Sequence, residues 1–181
     1  ARGLTTMMCM TWAPADLRSG DIYPTSGNRA TFASRVASMV LRYSQPDRYV
    51  EYYQLGNEDN LHTSGRASAA AAAADYLACY VPVAQAIRGA NRTAKVVTTG
   101  ISCVPTANNA AANWSGWHYL SGLYAAGGLA DFDFLAAHPY SRPELPDTGN
   151  SWNGWTIMRD EMRPLMLANG DGRRKILISE Y

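Results

Sequence analysis

Residues 52–61 read Tyr-Tyr-Gln-Leu-Gly-Asn-Glu-Asp-Asn-Leu, a short apolar run that ends in a polar turn. Tyrosine and leucine favour a β-strand, and a glycine followed by four polar residues has the composition of a turn. The segment therefore predicts a strand with an acid, Glu58, at its tip. A lone acid in this position is usually a solvated strand end. However, residues 175–181, Lys-Ile-Leu-Ile-Ser-Glu-Tyr, repeat the arrangement with Glu180. This recurrence calls for an explanation.

The chain has 181 residues, enough for one domain with a sizeable core, and a net charge of +1. The near-zero charge argues against nucleic acid or an anionic membrane surface as the main partner. No apolar run is long enough to suggest a membrane span, and Ala69–Ala74 is interpreted as small-residue helix. Ala1 does not open a signal-peptide pattern, so we expect a mature, internal or partial chain.

The three cysteines, Cys9, Cys79 and Cys103, are an odd number without a CxxC pair or a histidine at metal-binding spacing. We interpret them as mostly buried small hydrophobic residues. A disulfide among them is possible but nothing in the sequence supports one, and the sequence predicts no metal site and no cofactor.

Strand ends recur along the chain, each separated from the next by one loop, one helix and one strand. They fall near Trp12, Glu58, Gly100, His138 and Glu180, at spacings of 46, 42, 38 and 42 residues. Helices are predicted near residues 32–43, 64–89, 114–124 and 157–167. Pro82 is expected to kink or split the second helix, and Pro164 to disturb the last. Such a βα repeat predicts a parallel sheet.

Right-handed crossovers leave two folds open, a doubly wound sheet or a (β/α)8 TIM barrel. No glycine-rich phosphate loop follows any strand, whereas polar residues gather at the strand ends, where barrel enzymes keep their sites. We therefore predict one α/β domain, residues 1–181, that is part of a TIM barrel. Only five strands are recognisable. We expect the barrel to be incomplete, so that a further segment or chain is needed to close it.

Two glutamates that meet over the mouth of a barrel have the chemistry of glycoside hydrolysis, in which one protonates the leaving oxygen and the other attacks the sugar. Here the residues carry a resemblance. Asn57-Glu58, His138-Pro139-Tyr140 and Ser179-Glu180-Tyr181 at successive strand ends resemble clan A retaining glycoside hydrolases. The segment from Gly56 to Leu61 is most similar to family 39, the β-xylosidase and α-L-iduronidase family.

The resemblance implies that the chain corresponds to strands three to seven of the barrel. It assigns Glu58 as the acid/base and Glu180 as the nucleophile of a retaining glycosidase that acts on a poly- or oligosaccharide. It also implies that Asn57 binds the sugar 2-hydroxyl and that His138 and Tyr140 support the nucleophile. Gly56 and Asp59 depart from the tryptophan and proline of the family motif, and the arginine of strand two is not visible.

All five tryptophans follow strand ends or begin the next helix: Trp12, Trp114, Trp117, Trp152 and Trp155. Sugar rings pack on aromatic faces. We therefore select Trp12, together with Trp152 or Trp155, as a sugar platform, and the alternative is that the indoles only hold long loops in place.

The function predicted from the sequence is thus hydrolysis of glycosidic bonds in a carbohydrate substrate, outside the cell. The alternative is a non-catalytic carbohydrate-binding or structural barrel. For the enzyme we expect Glu58 to have a raised pKa, because a second carboxylate lies nearby. We also expect the two carboxyl groups to be about 5–5.5 Å apart, as retention requires.

Overall fold

Five strands alternate with helices in the computed structural model, which describes residues 5–62, 65–105, 115–141 and 153–180. The elements are β1 (Met7–Met10), α1 (Arg29–Arg42), β2 (Tyr52–Leu55), α2 (Ala69–Ala90), β3 (Lys95–Ser102), α3 (Gly116–Ala125), β4 (Phe134–His138), α4 (Gly154–Ile157), α5 (Arg163–Ala168) and β5 (Lys175–Ile178). Short 3₁₀ turns, Ala15–Leu17 and Ser26–Asn28, precede α1, and one π-helical segment, Met158–Met162, joins α4 to α5.

The strands form one parallel sheet in chain order, β1-β2-β3-β4-β5. Tyr53 pairs with Val96 in the parallel direction that the βα repeat predicts. A doubly wound sheet would reverse its strand order at a switch point, whereas here consecutive strands are always neighbours. Consecutive helices are neighbours too, since α1 packs on α2 and α2 packs on α3. This is the order of a (β/α)8 barrel.

The two faces of the sheet carry different side chains. Tyr53, Leu55 and Leu135 point toward the helices and belong to a single core cluster with them. On the opposite face Tyr52 contacts Phe134 across the intervening strand β3, with ring centroids 5.6 Å apart. Successive side chains along each strand point to opposite faces of the sheet, as the two-residue period of a β-strand requires.

Helix α2 runs without a break through Pro82, so the expected split is wrong. The side chains of Tyr76, Tyr80 and Val83 are almost fully buried, and their packing holds the helix together where the proline removes a hydrogen bond. By length and composition α2 could cross a bilayer, although we had found no such run in the sequence. Half of its most apolar window is buried inside the protein, as for a core helix of a globular domain.

The helix predicted at 157–167 begins three residues earlier, because the Asn153 side chain accepts hydrogen bonds from the backbone of Trp155 and Thr156 and caps α4. The π-helical segment comes directly before Pro164, where Arg163 donates to the carbonyl of Met158. A proline cannot donate to the turn before it, so the predicted irregularity is present and takes the form of a widened turn.

Strand β3 does not end at Gly100, as we had expected, but continues to Ser102. Its register against β4 shifts between Val97 and Gly100, where a β-bulge places an extra residue. Inside the bulge the Thr98 hydroxyl donates to the carbonyl of Thr99 and accepts from the backbone of Ala136. The bulge brings Gly100 directly against the ring of His138.

The outer strands of the sheet are less covered than the central ones. Among the described residues β1 and β5 each pair with one neighbour, and neither contains a buried residue. All but the first residue of β2, β3 and β4 are buried. That a further segment or chain covers these edges stays a prediction.

The cysteines are all free, Cys79 and Cys103 being buried as expected and Cys9 exposed.

We predict that Gly100→Ala destabilises the protein by about 1–3 kcal/mol, the usual cost of overpacking. A Cβ atom at Gly100 would lie 2.0 Å from Nε2 of His138, so the imidazole would have to move. The free energy of unfolding from urea denaturation measures the effect. Gly89→Ala in α2 is the matched control, since its added Cβ meets nothing within 4 Å. It should leave stability unchanged or raise it by up to about 1 kcal/mol. Equal stability of the two variants would contradict the packing argument.

Candidate functional site

The turn after β2 has a backbone that few sequences adopt. Gly56 lies at φ +93°, and Glu58, the only non-glycine residue described with positive φ, lies at +51°. The backbone N–H of Glu58 donates to the carbonyl of Gly100 at 2.9 Å, and Asn57 forms a parallel bridge with the same glycine. The turn is thus held against the bulged end of β3.

Asn60 completes this attachment. Its side-chain amide donates to the carbonyl of Ser102, and its side-chain oxygen accepts from the backbone N–H of Ser102, both at 3.0 Å. The amide therefore imitates a neighbouring strand at the point where β2 has ended. Because Asn60 is fully buried, both bonds are shielded from water.

Asp59, the residue after Glu58, is 1% exposed. Its Oδ1 accepts from the Tyr23 hydroxyl at 2.7 Å, and its Oδ2 accepts from the Thr99 hydroxyl. Burial raises the pKa of the Asp59 carboxyl to about 6, although these two hydrogen bonds oppose the change. The carboxyl also explains Gly56, since a Cβ atom there would approach Oδ2 of Asp59 to 2.1 Å.

His138, the last residue of β4, joins the two strand tips that carry the predicted glutamates. Its ring is 0% exposed; Nδ1 lies 3.1 Å from Oε1 of Glu58, and Nε2 lies 2.9 Å from Oγ of Ser179. The self-consistent arrangement puts the hydrogen on Nδ1, which donates to the Glu58 carboxylate, while Nε2 accepts from the Ser179 hydroxyl. This buried histidine has hydrogen-bond partners at both ring nitrogens and lies in the candidate site.

Glu180 lies beside the same imidazole. Oε2 of Glu180 is 3.9 Å from Nδ1 of His138 and accepts a hydrogen bond from the Tyr140 hydroxyl. Because one nitrogen lies 3.1 Å from the Glu58 oxygen and 3.9 Å from the Glu180 oxygen, these two oxygens are at most about 7 Å apart. Their side chains are 21% and 48% exposed, so a ligand can reach both.

The expected rise in the pKa of Glu58 is wrong for this structure. The hydrogen bond from His138 lowers the pKa of Glu58, and Ser102 and His62 act in the same direction, against the effect of partial burial. A hydrogen bond to the ionised form favours that form. The donor contributed by β4 therefore outweighs the burial of Glu58, and the pKa falls where the expectation had it rise.

The remaining predicted site residues lie at or near this edge of the sheet. Asn57 is half-buried beside Glu58. Trp12 is 51% exposed, with the guanidinium of Arg18 5.5 Å from its ring centre and the imidazole of His62 against its edge. Trp155 follows Gly154, which packs on the backbone of Pro139 and Tyr140.

Three of the tryptophans lie elsewhere or outside the described residues. Trp114 and Trp152, the latter a chosen platform residue, lie outside the described residues. Trp117 lines a cleft with Pro164 and Leu165 of the last helices, on the outer side of the sheet.

Sequence reasoning missed the residues that hold the glutamates. Tyr23, Thr99 and Asn60 were given no role, and Ser179 appeared only as part of a motif. One signal was available: Asp59 departs from the family motif, and a second acid directly after a catalytic candidate invites the question of what holds it. Among the described residues no group of three or more His, Cys, Asp or Glu side chains could hold a metal ion.

The connectivity Ser179–His138–Glu58 is also that of a Ser-His-Glu triad. Two features oppose acyl transfer. The His138 ring has no exposed surface through which to pass a proton to a leaving group, and the backbone N–H of Ser179 is bonded to Ala137 and so unavailable for an oxyanion. The arrangement is better suited to fixing the position of Glu58 than to activating Ser179.

No protein-family model and no curated protein matches the chain. Solved structures do match, and they are glycoside hydrolases. A fungal β-1,4-galactanase gives a TM-score of 0.60 at 13% identity, over 93% of this chain and 46% of its own. A glucosidase from Croceicoccus marinus gives 0.64 at 15%, over 98% and 34%. A GH128 (subgroup II) endo-β-1,3-glucanase from Sorangium cellulosum gives 0.53 at 18%, over 96% and 55%.

At these identities the likeness establishes the fold alone. The chain has the α/β fold of these TIM-barrel structures, and the matches do not single out family 39. The chain spans between about one third and just over half of the length of these structures.

We predict that Asp59 makes the protein less stable as the pH rises from about 4 to 6. In the unfolded chain the Asp59 carboxyl loses its proton near its ordinary pKa of 3.8, whereas in the folded protein its pKa is about 6. The folded state thus binds more protons in this window, and stability falls with pH by about 3 kcal/mol in total.

Asp59→Asn isolates this contribution, because an amide does not titrate. The free energy of unfolding is measured in urea at pH 4 and at pH 7 for wild type and for Asp59→Asn. Between these pH values wild type should lose about 3 kcal/mol of stability relative to Asp59→Asn. A constant difference across the range would show that the Asp59 carboxyl is not perturbed.

Proposed function

We propose that this chain carries the catalytic carboxylates of a retaining glycoside hydrolase. One observation carries the proposal: Glu58 and Glu180, on the tips of β2 and β5, share the imidazole of His138 and have oxygens at most about 7 Å apart. Retention needs about 5–5.5 Å between the carboxyl groups, and inversion about 6.5–9.5 Å. A separation of at most about 7 Å for this pair of oxygens is compatible with the retaining distance, and this supports the proposal.

In this proposal Glu180 attacks the anomeric carbon and Glu58 gives its proton to the departing glycosidic oxygen, leaving a glycosyl-enzyme. Glu58 then removes a proton from water as the water displaces Glu180, which restores both groups. The Tyr140 hydroxyl donates a hydrogen bond to Glu180 and so orients the nucleophile without adding charge. Because His138 lowers the pKa of Glu58, the protonated acid is most populated at acidic pH, and we expect an acidic optimum.

The finer assignments rest on the sequence motifs. The resemblance to family 39 suggests a substrate of the β-xylosidase or α-L-iduronidase type, and Asn57, half-buried and next to Glu58, is the proposed ligand of the sugar 2-hydroxyl. The similar structures are described as acting on β-1,4-galactan and β-1,3-glucan, which supports a β-linked glycan as the substrate class. Action outside the cell stays a prediction.

The alternative function is a carbohydrate-binding barrel without catalysis. The difference between the two is whether Glu58 and Glu180 carry out the steps above. A binding module needs only aromatic side chains such as the exposed Trp12 and the half-buried Trp155, and it would tolerate the loss of either carboxylate.

We predict that the full-length protein hydrolyses one of the 4-nitrophenyl β-glycosides of xylose, glucose or galactose with retention. ¹H NMR of the anomeric proton in the first-formed sugar would identify the β-anomer. Glu180→Gln should abolish turnover. Glu58→Ala should lower kcat/KM by about 10²–10⁴-fold for poor leaving groups, which need the proton, and much less for a 2,4-dinitrophenyl leaving group.

Added azide should rescue Glu58→Ala with the activated substrate, giving a β-glycosyl azide. Glu51→Gln is the matched control, since Glu51 lies just before β2 at the opposite end of that strand. Inverted product would replace the retaining mechanism with the inverting one. Sugar binding by a protein with no turnover on the panel, unaffected by Glu58→Ala, would favour the binding module.

We predict that Trp12→Ala raises KM about fivefold with little loss of stability, because Trp12 is half exposed and sugar stacking on an aromatic ring is worth about 1 kcal/mol. Trp155→Ala should act similarly but cost some stability. Trp117→Ala is the control: its indole lines the cleft beside Pro164 and Leu165 on the outer side of the sheet, so KM should be unchanged. If Trp12→Ala instead unfolds the protein and leaves KM unchanged, the indole only holds its loop in place.

A further inference from the structure

The buried carboxyl of Asp59 has no part in the bond-making steps proposed above, yet it is the most enclosed acid at the site, 1% exposed and directly after Glu58. We propose that Asp59 is a positioning residue: its carboxyl, held by Tyr23 and Thr99, fixes the turn that directs the Glu58 carboxyl to His138 and the reacting centre. This inference rests on the proposed role of Glu58 and adds the device that aims it.

The first step of the argument is the backbone of Glu58. Its φ of +51° is unfavourable for a residue with a Cβ atom, by about 1–2 kcal/mol. Such a conformation persists only when the surrounding contacts enforce it. The hydrogen bond from Glu58 N–H to Gly100 holds the peptide unit before Glu58. The peptide unit after Glu58 is held by the Leu61 N–H, which donates to the Glu58 carbonyl at 2.7 Å, and by the contacts of Asp59.

Asp59 is held through both its backbone and its side chain. Its backbone N–H donates to the Thr99 hydroxyl at 3.3 Å, and the same hydroxyl donates to Oδ2 of its carboxyl. Thr99 therefore closes a ring with a single residue, which fixes the Asp59 side chain relative to its own peptide. Thr99 is itself placed by the bulge in β3, where its N–H donates to the hydroxyl of Tyr76.

Tyr23 holds the other carboxyl oxygen from the loop after β1. Its ring lies under the guanidinium of Arg66, 5.1 Å from the centroid. That guanidinium is in turn bound by Asp21 at 2.6 Å and by Asp75 at 3.1 Å. The Tyr23 hydroxyl is thus directed at Asp59 by a ring that cannot easily turn. The loop after β1 and strand β3 thus each contribute one donor to the Asp59 carboxyl, and α2 supports these donors through Asp75 and Tyr76.

A carboxyl that served only to fill space would be a poor choice here. Burying an acid costs free energy that an apolar side chain of the same size would not. What the carboxyl adds is direction, because its two oxygens accept from two donors on different elements at fixed angles. Misplacing a catalytic group by about 1 Å can cost about 100-fold in rate. Direction is therefore what this position contributes to catalysis.

The test compares Asp59→Asn, Thr99→Val and Tyr23→Phe in the full-length protein. Tyr124→Phe is the matched control, because Tyr124 donates to Asp171 at 2.9 Å at the other end of the fold. The first readout is kcat/KM for a phenyl and a 2,4-dinitrophenyl glycoside of the sugar that wild type hydrolyses. The second, independent of turnover, is the titration of Glu58 followed by ¹³C NMR of its side-chain carboxyl. His138, His62 and Glu180 face that carboxyl and are unchanged in every variant.

Positioning predicts that Asp59→Asn lowers kcat/KM at least tenfold more for the phenyl glycoside than for the dinitrophenyl glycoside, since only the former needs the proton. KM should change little. The Glu58 titration should move up toward the ordinary value as its contact with His138 loosens. Tyr23→Phe, which removes one donor and keeps the ring, should show the same pattern to a smaller extent, and Tyr124→Phe should show none of it.

Equal losses on both glycosides with an unchanged Glu58 titration would overturn the inference and leave Asp59 a structural acid. Should Asp59→Asn fail to fold, Tyr23→Phe and Thr99→Val decide by the same criteria. If wild type hydrolyses no glycoside on the panel, the proposed function fails separately. The NMR titration then decides alone: a shift of Glu58 in Asp59→Asn supports positioning, and none refutes it.

Discussion

The hydrogen bonds of the buried His138 ring set the geometry of the whole strand edge. An imidazole with no exposed surface must find partners for both nitrogens, because an unpaired buried polar atom costs about 1–3 kcal/mol. It finds Glu58 on the tip of β2 and Ser179 on the tip of β5. Since β2 and β5 are not neighbours in the sheet, this ring supplies the side-chain link between them.

Much of the surrounding backbone accommodates that ring. The bulge at Thr98 and Thr99 sets the register of β3 so that a glycine, Gly100, lies against it. The same glycine accepts from Glu58 through its carbonyl. One residue without a side chain therefore makes room for the imidazole and fixes the backbone of the glutamate that the imidazole binds. Irregular features of β3 that look like defects in a strand are requirements of the site.

The sequence predicted the periodic part of this structure well. Apolar runs and helix stripes repeat locally, so the parallel order and the strand tips at Glu58 and His138 followed from spacing. Spacing did not predict the bulge, the start of α4 or the unbroken course of α2 through Pro82. These features depend on packing between distant segments. The same holds for the bonds of Asp59, whose partners Tyr23 and Thr99 lie 36 and 40 residues away along the chain. The direction of the shift in the Glu58 pKa was predicted wrongly because the hydrogen bond from the buried His138 was not considered.

Two consecutive acids, Glu58 and Asp59, have pKa values shifted in opposite directions, and the backbone explains how. In a regular strand neighbouring side chains point to opposite faces, but here the strand has ended and the left-handed Glu58 redirects the chain. The Glu58 carboxyl reaches a donor while keeping contact with water, which lowers its pKa. The Asp59 carboxyl turns inward, where burial outweighs two donors and raises its pKa. The strained residue is therefore what allows one turn to hold an exposed carboxylate and a buried one side by side, and strain of this kind is retained where a protein uses it.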